Sequence, residues 1–116
     1  MTLRLVPLVS ALVLAVAGAG AGAAQAGPAA QTVKVTAKDF KFVLSTSSVA
    51  HGRITFAIKN AGASMHDFVI ANHTSNIIGP GQHTSLAVML KPGRYPYRCS
   101  VDSHAALGMK GVLRVK

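Results

Sequence analysis

The segment Arg53-Ile54-Thr55-Phe56-Ala57-Ile58-Lys59 alternates between apolar core types and more polar ones at nearly every step. A period of two does not suit an amphipathic helix. It puts Ile54, Phe56 and Ile58 on one face of an extended strand and Arg53, Thr55 and Lys59 on the other. Thr32 to Ala37 alternates in the same way, with Val33 and Val35 sharing a face, and so does Thr84 to Leu90, with Leu86, Val88 and Leu90. Shorter strands are read at 40–44, 66–71, 95–99 and 111–116. Between them stand turn signals: Ser45 to Ser48, Asn60-x-Gly62, Ile77-Ile78-Gly79-Pro80-Gly81, and Lys91-Pro92-Gly93-Arg94, whose Pro and Gly suit the two central positions of a type II turn. Regular short strands with no helical period predict an all-β fold of about seven or eight strands, a sandwich or a barrel. Pro96 donates no ladder hydrogen bond, so a bulge or an unpaired position is expected there.

The fold does not need the whole chain. Arg4 followed by the apolar run Leu5 to Ala17 and by Ala24-Gln25-Ala26 has the layout of a secretory signal peptide with an A-x-A cleavage site. The run is too short for a spanning helix, which needs about 20 residues. The expectation is a signal peptide over 1–26, one domain over 27–116, and an exported protein in the periplasm or at or beyond the cell surface. The alternative is an uncleaved N-terminal anchor. No cysteine lies near the junction to carry a lipid. About ninety residues then form a single small domain, here expected to be a monomer.

The chain has one cysteine, Cys99, so an intramolecular disulfide is impossible. A free thiol in an oxidising compartment is a liability that metal ligation would remove; a buried inert cysteine is the plainer alternative. Its neighbours favour the metal. Cys99, His104 and Met109 are spaced C-x4-H-x4-M, which brings a thiolate, an imidazole and a thioether into eleven residues. With a second histidine the set becomes His2Cys with a weak Met, the donor field of an electron-transfer copper site. His66 is the candidate, since it follows the Asn60-x-Gly62 loop and opens an apolar strand. The two ligand segments are far apart in sequence, as expected where a sandwich gathers loops at one end.

The net charge of +9 falls to +8 without Arg4, with Asp39, Asp67 and Asp102 as the only acidic side chains. The bases are scattered, with none of the stripe and recognition element that nucleic-acid binding requires. An acidic redox partner, or an anionic surface, suits the charge better.

Three blocks carry a family resemblance: Asn60-x-Gly62-x3-His66-x-Phe68-Val69-Ile70, then Pro92-Gly93-x-Tyr95-x-Tyr97-x-Cys99, then Cys99-x4-His104-x4-Met109-x-Gly111-x-Leu113-x-Val115. In this order and at these separations the chain resembles the cupredoxin family, the small blue copper proteins related to plastocyanin, azurin and auracyanin. The resemblance covers nearly all of 27–116. It implies a Greek-key β-sandwich that binds one copper ion, alternating between Cu(I) and Cu(II), at one end. His66, Cys99 and His104 would be its equatorial ligands and Met109 the long axial one. His104, on the ligand loop, would be the more exposed histidine, and the small apolar residues Ala105 to Gly108 would form the docking rim. A binuclear copper centre needs a second cysteine, and multicopper enzymes need further domains. Where plastocyanin-like members have asparagine after the first ligand, this chain has Asp67. Its carboxylate is expected to accept from Ser100 or its backbone, which would pin Cys99.

The remaining candidates read as ordinary. His51, His73 and His83 are expected at the surface, Met65 in loop packing and Met89 in the core or at the surface. Tyr95 and Tyr97 should face the core, Tyr97 nearer the site. With no nucleophile, general base or substrate pocket evident, the chain is read as a one-electron carrier and not an enzyme. The second reading is a copper-binding protein that buffers copper or delivers it to an exported oxidase. The third is a non-redox interaction module, which would normally have lost a ligand.

Overall fold

The computed structural model describes residues 2, 3 and 30–116; the signal segment read at 1–26 lies, but for Thr2 and Leu3, outside the described residues. Nine strands follow one another: β1 (Gln31–Lys38), β2 (Lys41–Leu44), β3 (Ser48–Val49), β4 (Gly52–Asn60), β5 (Val69–Ile70), β6 (His73–Thr74), β7 (His83–Leu90), β8 (Gly93–Arg98) and β9 (Lys110–Val115). They form a four-stranded sheet in the order β2-β1-β4-β7 and a five-stranded sheet in the order β3-β9-β8-β5-β6. The β1–β4 and β3–β9 pairs are parallel and the others antiparallel. No helix occurs among the described residues, and none of the described structure is a helix long and apolar enough to cross a membrane.

The alternation does what its period requires. Val33, Val35, Ile54, Phe56 and Ile58 are buried on the inner face of the first sheet, while Lys34, Arg53 and Lys59 point outward. The second sheet contributes Ile70, Leu113 and Val115 to the same core, joined by Phe68 from the segment just before β5. Met89 takes the solvent side of β7. The strand count rises from the expected seven or eight to nine because β3 and β6 are two-residue strands with no sequence period of their own.

Two local readings change. The strand read at 66–71 is ladder-paired only at Val69 and Ile70. Before it, His66 forms an isolated bridge with Ile78, and the Phe68 N–H donates to Ser75 Oγ at 2.9 Å, so a side chain takes a bond the ladder would otherwise use. The Pro92-Gly93 link is not a type II turn: Gly93 lacks the required positive φ, already pairs with Val115, and joins strands of different sheets. The type II geometry occurs at Gly79-Pro80-Gly81-Gln82, where Gly81 has φ 78° and the Gln82 N–H donates to Gly79 O at 3.0 Å.

No bulge occurs at Pro96, since β8 and β9 stay in continuous register from Gly93↔Val115 to Arg98↔Lys110. The Cys99 N–H donates to Met109 O, which extends that register and turns the N–H groups of Tyr97 and Cys99 toward β9. Pro96 therefore has its nitrogen on the β5 side, and β5 pairs with β8 only at Tyr97 and Arg98. The missing donor falls where there is no partner strand.

Candidate metal centre

The three strongest donors of the chain meet at one end of the sandwich. Cys99 follows β8, His104 lies on the turn-rich segment between β8 and β9, and His66 precedes β5. The two imidazole donors and the Cys99 sulfur all lie within 4.8 Å of one another, and all three residues are buried. Cys99 Sγ is 3.9 Å from His66 Nδ1 and 3.7 Å from His104 Nδ1, and the two imidazole centroids are 4.9 Å apart. Met109 is fully buried and packs with Cys99 and Ala37 in a small cluster beneath the site. Sequence reasoning named all four residues, and the fold brings them together.

Each side chain is held by its backbone setting. The Cys99 N–H to Met109 O bond and the Met109 N–H to His104 O bond, both 3.1 Å, tie the three residues of the C-terminal motif to one another. Gly108, with φ 111°, supplies the left-handed residue that turns the chain back into β9. On the other side, His66 exchanges two backbone hydrogen bonds with Ile78, at 3.0 and 2.8 Å. The buried Asn60 side chain braces the loop before it, donating to Ser64 O and Ile78 O and accepting from the Gly62 N–H.

Asp39 is the residue that sequence reasoning missed. Its Oδ1 accepts from His66 Nε2 at 2.7 Å and from the Ser64 N–H at 3.3 Å, and its Oδ2 accepts from the Ala63 N–H at 2.8 Å. A carboxylate can only accept here, so Nε2 carries the proton and the Nδ1 lone pair faces Cys99. The Ala63 N–H above all, with His66 and Ser64, holds the Asp39 carboxyl below its ordinary value against some desolvation. Gly62 leaves the space: a Cβ there would run into the Asp39 carboxylate and lie 3.0 Å from His66 Nε2. Phe40, next along, packs its ring against His104 with centroids 4.8 Å apart. One turn, between β1 and β2, thus touches both histidines.

His104 is the more exposed histidine, as expected, but only just: 7% against 0% for His66. Phe40 covers it. The rim around it is open, with Leu107 58% and Phe40 37% exposed. Asp67 takes the bracing role expected of it: the Ser100 N–H donates to Oδ1 at 2.6 Å and the Ser100 hydroxyl donates to Oδ2. Burial pushes the Cys99 thiol up, the N–H groups of Asp67 and Val101 pull it back, and the Asp67 charge adds to the rise. His51, His73 and His83 are exposed and away from this cluster, and Met65 is largely exposed.

A β-sandwich with a thiol, two imidazole nitrogens, one of them of fixed tautomer, and a buried thioether at one end suits a single copper ion. These features define a one-copper sandwich protein. The sequence matches the cupredoxin-like domain family over residues 8–114. The fold is also that of three solved auracyanins. Auracyanin B is 20% identical with a TM-score of 0.67, covering 74% of this chain and 88% of that one. The dithionite-reduced auracyanin of Roseiflexus castenholzii is 20% identical with a TM-score of 0.63, covering 78% and 99%. Auracyanin A, a "blue" copper protein of Chloroflexus aurantiacus, is 18% identical with a TM-score of 0.65, covering 76% and 100%. No curated protein matches. The chain belongs to the cupredoxin family, and its cofactor is one copper ion.

Proposed function

We propose that this chain is an exported one-electron carrier, with copper held by His66 Nδ1, Cys99 Sγ and His104 Nδ1 and, more weakly, by the Met109 thioether. The observation that carries the reading is the convergence of three buried donors, one imidazole already oriented by a carboxylate. Bound copper supplies the Cu(I)/Cu(II) couple. The protein residues supply constancy. Asp39 and Ile78 hold His66, Asp67 and Ser100 hold the segment after Cys99, and Asn60 holds the loop before His66. Ligands fixed by the fold change little when the charge on the site changes by one, which keeps the cost of electron exchange low. The Phe40 and Leu107 rim leaves a short path to His104 from outside.

The signal-peptide layout of 1–26 supports export, and 27–116 is then the mature domain. A carrier of this kind passes electrons to and from a redox protein, and the excess of positive charge favours an acidic one.

Redox cycling in the presence of a Cu(I) chelator tests the reading. The copper-loaded chain should take up and return one electron repeatedly with its copper retained. Transfer of the metal to the chelator on the first reduction would overturn the carrier reading and favour copper delivery.

A further inference from the structure

Two pairs of like charges face each other across β8 and β9. The register sets Arg94 opposite Arg114 and Arg98 opposite Lys110, and all four are exposed. Directly opposed residues are close neighbours on one face of a sheet, and like charges there are unfavourable. Between the two pairs lies an apolar one, exposed Pro96 opposite Val112. No acidic side chain of the protein pairs with these cations: Asp39 is committed to His66 and its loop, Asp67 to Ser100, and exposed Asp102 makes no salt bridge among the described residues. Among the described residues no Lys or Arg forms a salt bridge.

Each like-charge pair also lines a groove. Arg98 and Lys110 border one of about 630 Å³ floored by Val69, Pro96 and Val112 and reached by Ala105 of the ligand segment. Arg94 and Arg114 border a second, of about 470 Å³. Four residues of strand separate the pairs, about 13 Å.

We propose that this outer face of β9-β8-β5 is the docking surface for an acidic protein partner, which sets a carboxylate against each like-charge pair and an apolar side chain over Pro96 and Val112. A repulsive arrangement maintained on one face, with grooves at both cationic ends and an apolar centre, is complementary to an extended acidic segment with that same pattern. A flat anionic bilayer would make no use of the grooves. It would engage Lys34, Arg53 and Lys59 on the outer face of the other sheet equally well. The inference deepens the carrier reading: Arg98 is bonded to Cys99, so a partner seated here lies one residue from the proposed thiolate ligand.

The test uses the reduced, copper-loaded chain, labelled for amide NMR, and an acetylated peptide Glu-Ser-Leu-Ser-Glu, whose extended form places two carboxylates and one leucine on one face. Shifts should concentrate in β8, β9 and Val69–Asn72, and the Lys-for-Glu peptide should cause none. In the double variant Lys110→Glu, Arg114→Glu both like pairs become opposite pairs. Its thermal midpoint should hold or rise while peptide affinity falls at least about tenfold. The control double variant Lys34→Glu, Arg53→Glu carries the same charge change on the other sheet and should lose less than about threefold. Equal losses in the two double variants, or shifts spread over both sheets, would overturn the proposal. So would binding to phosphatidylglycerol vesicles with none to the peptide, which would make the surface a membrane one. Loss of copper on cycling would sink the carrier reading and leave this titration readable.

Discussion

The two histidines of the site are held in different ways. His66 is fully buried, exchanges backbone bonds with Ile78, and donates its Nε2–H to a carboxylate that also accepts from the Ala63 and Ser64 N–H groups. His104 has no side-chain hydrogen-bond partner other than the approach of Cys99; it sits on a turn-rich segment and packs against the tilted ring of Phe40. One half of the site is wired and the other is packed. The wired half fixes geometry and charge, and the packed half faces the exposed rim of Leu107, where electrons would pass.

Removing the ligand that both halves share has the largest effect. Cys99→Ser should abolish the thiolate-to-copper absorption while far-ultraviolet circular dichroism stays that of the folded sandwich, because Cys99 is one small residue at the edge of the core. Next in size comes Asp39→Ala, which strips the tautomer control from His66. Copper affinity should fall about 10–100-fold in a competition titration. Gly62→Ala should move it the same way by pushing Asp39 off His66. Phe40→Ala, on the packed side, should lower affinity less than about tenfold, the scale of one lost ring–ring contact. It should speed reduction by a small external reductant in stopped flow. An equal affinity loss for Asp39→Ala and Phe40→Ala would remove the distinction between the halves.

Asp67→Asn is a smaller change, since Asn can still accept from Ser100 but carries no charge. The reduction potential should rise, because a negative charge beside the thiolate favours Cu(II). In the metal-free chain the same charge, after burial, helps hold the Cys99 thiol up. Its alkylation rate should therefore keep climbing as pH passes the ordinary cysteine value of 9.0. In Asp67→Asn the climb should begin at lower pH.

The wired and packed halves were not equally legible. Cys99, His104 and Met109 lie within one short segment, so their spacing is visible in one dimension, and His66 follows a loop signal and opens an apolar run. The β-sandwich was legible because burial imposes a period of two on long strands such as β4, whereas β3 and β6 are too short to show one. Asp39 was not legible as a partner of His66, 27 residues away. Their contact depends on the parallel register of β1 with β4, which sets Ala37 beside Asn60 and carries the following turn onto the His66 loop. One hint existed: a chain with three acids places one of them, Asp39, between two strand signals. The expected strand at Phe40 hid the turn, and with it the ring over His104.

The visible absorption spectrum of residues 27–116 after addition of one equivalent of Cu(II) reports directly on the copper site. An intense thiolate-to-copper band that bleaches on reduction, returns on oxidation and is missing from Cys99→Ser is the predicted result. A weak spectrum unchanged by Cys99→Ser would mean that copper binds elsewhere and would contradict the assignment of His66, Cys99, His104 and Met109.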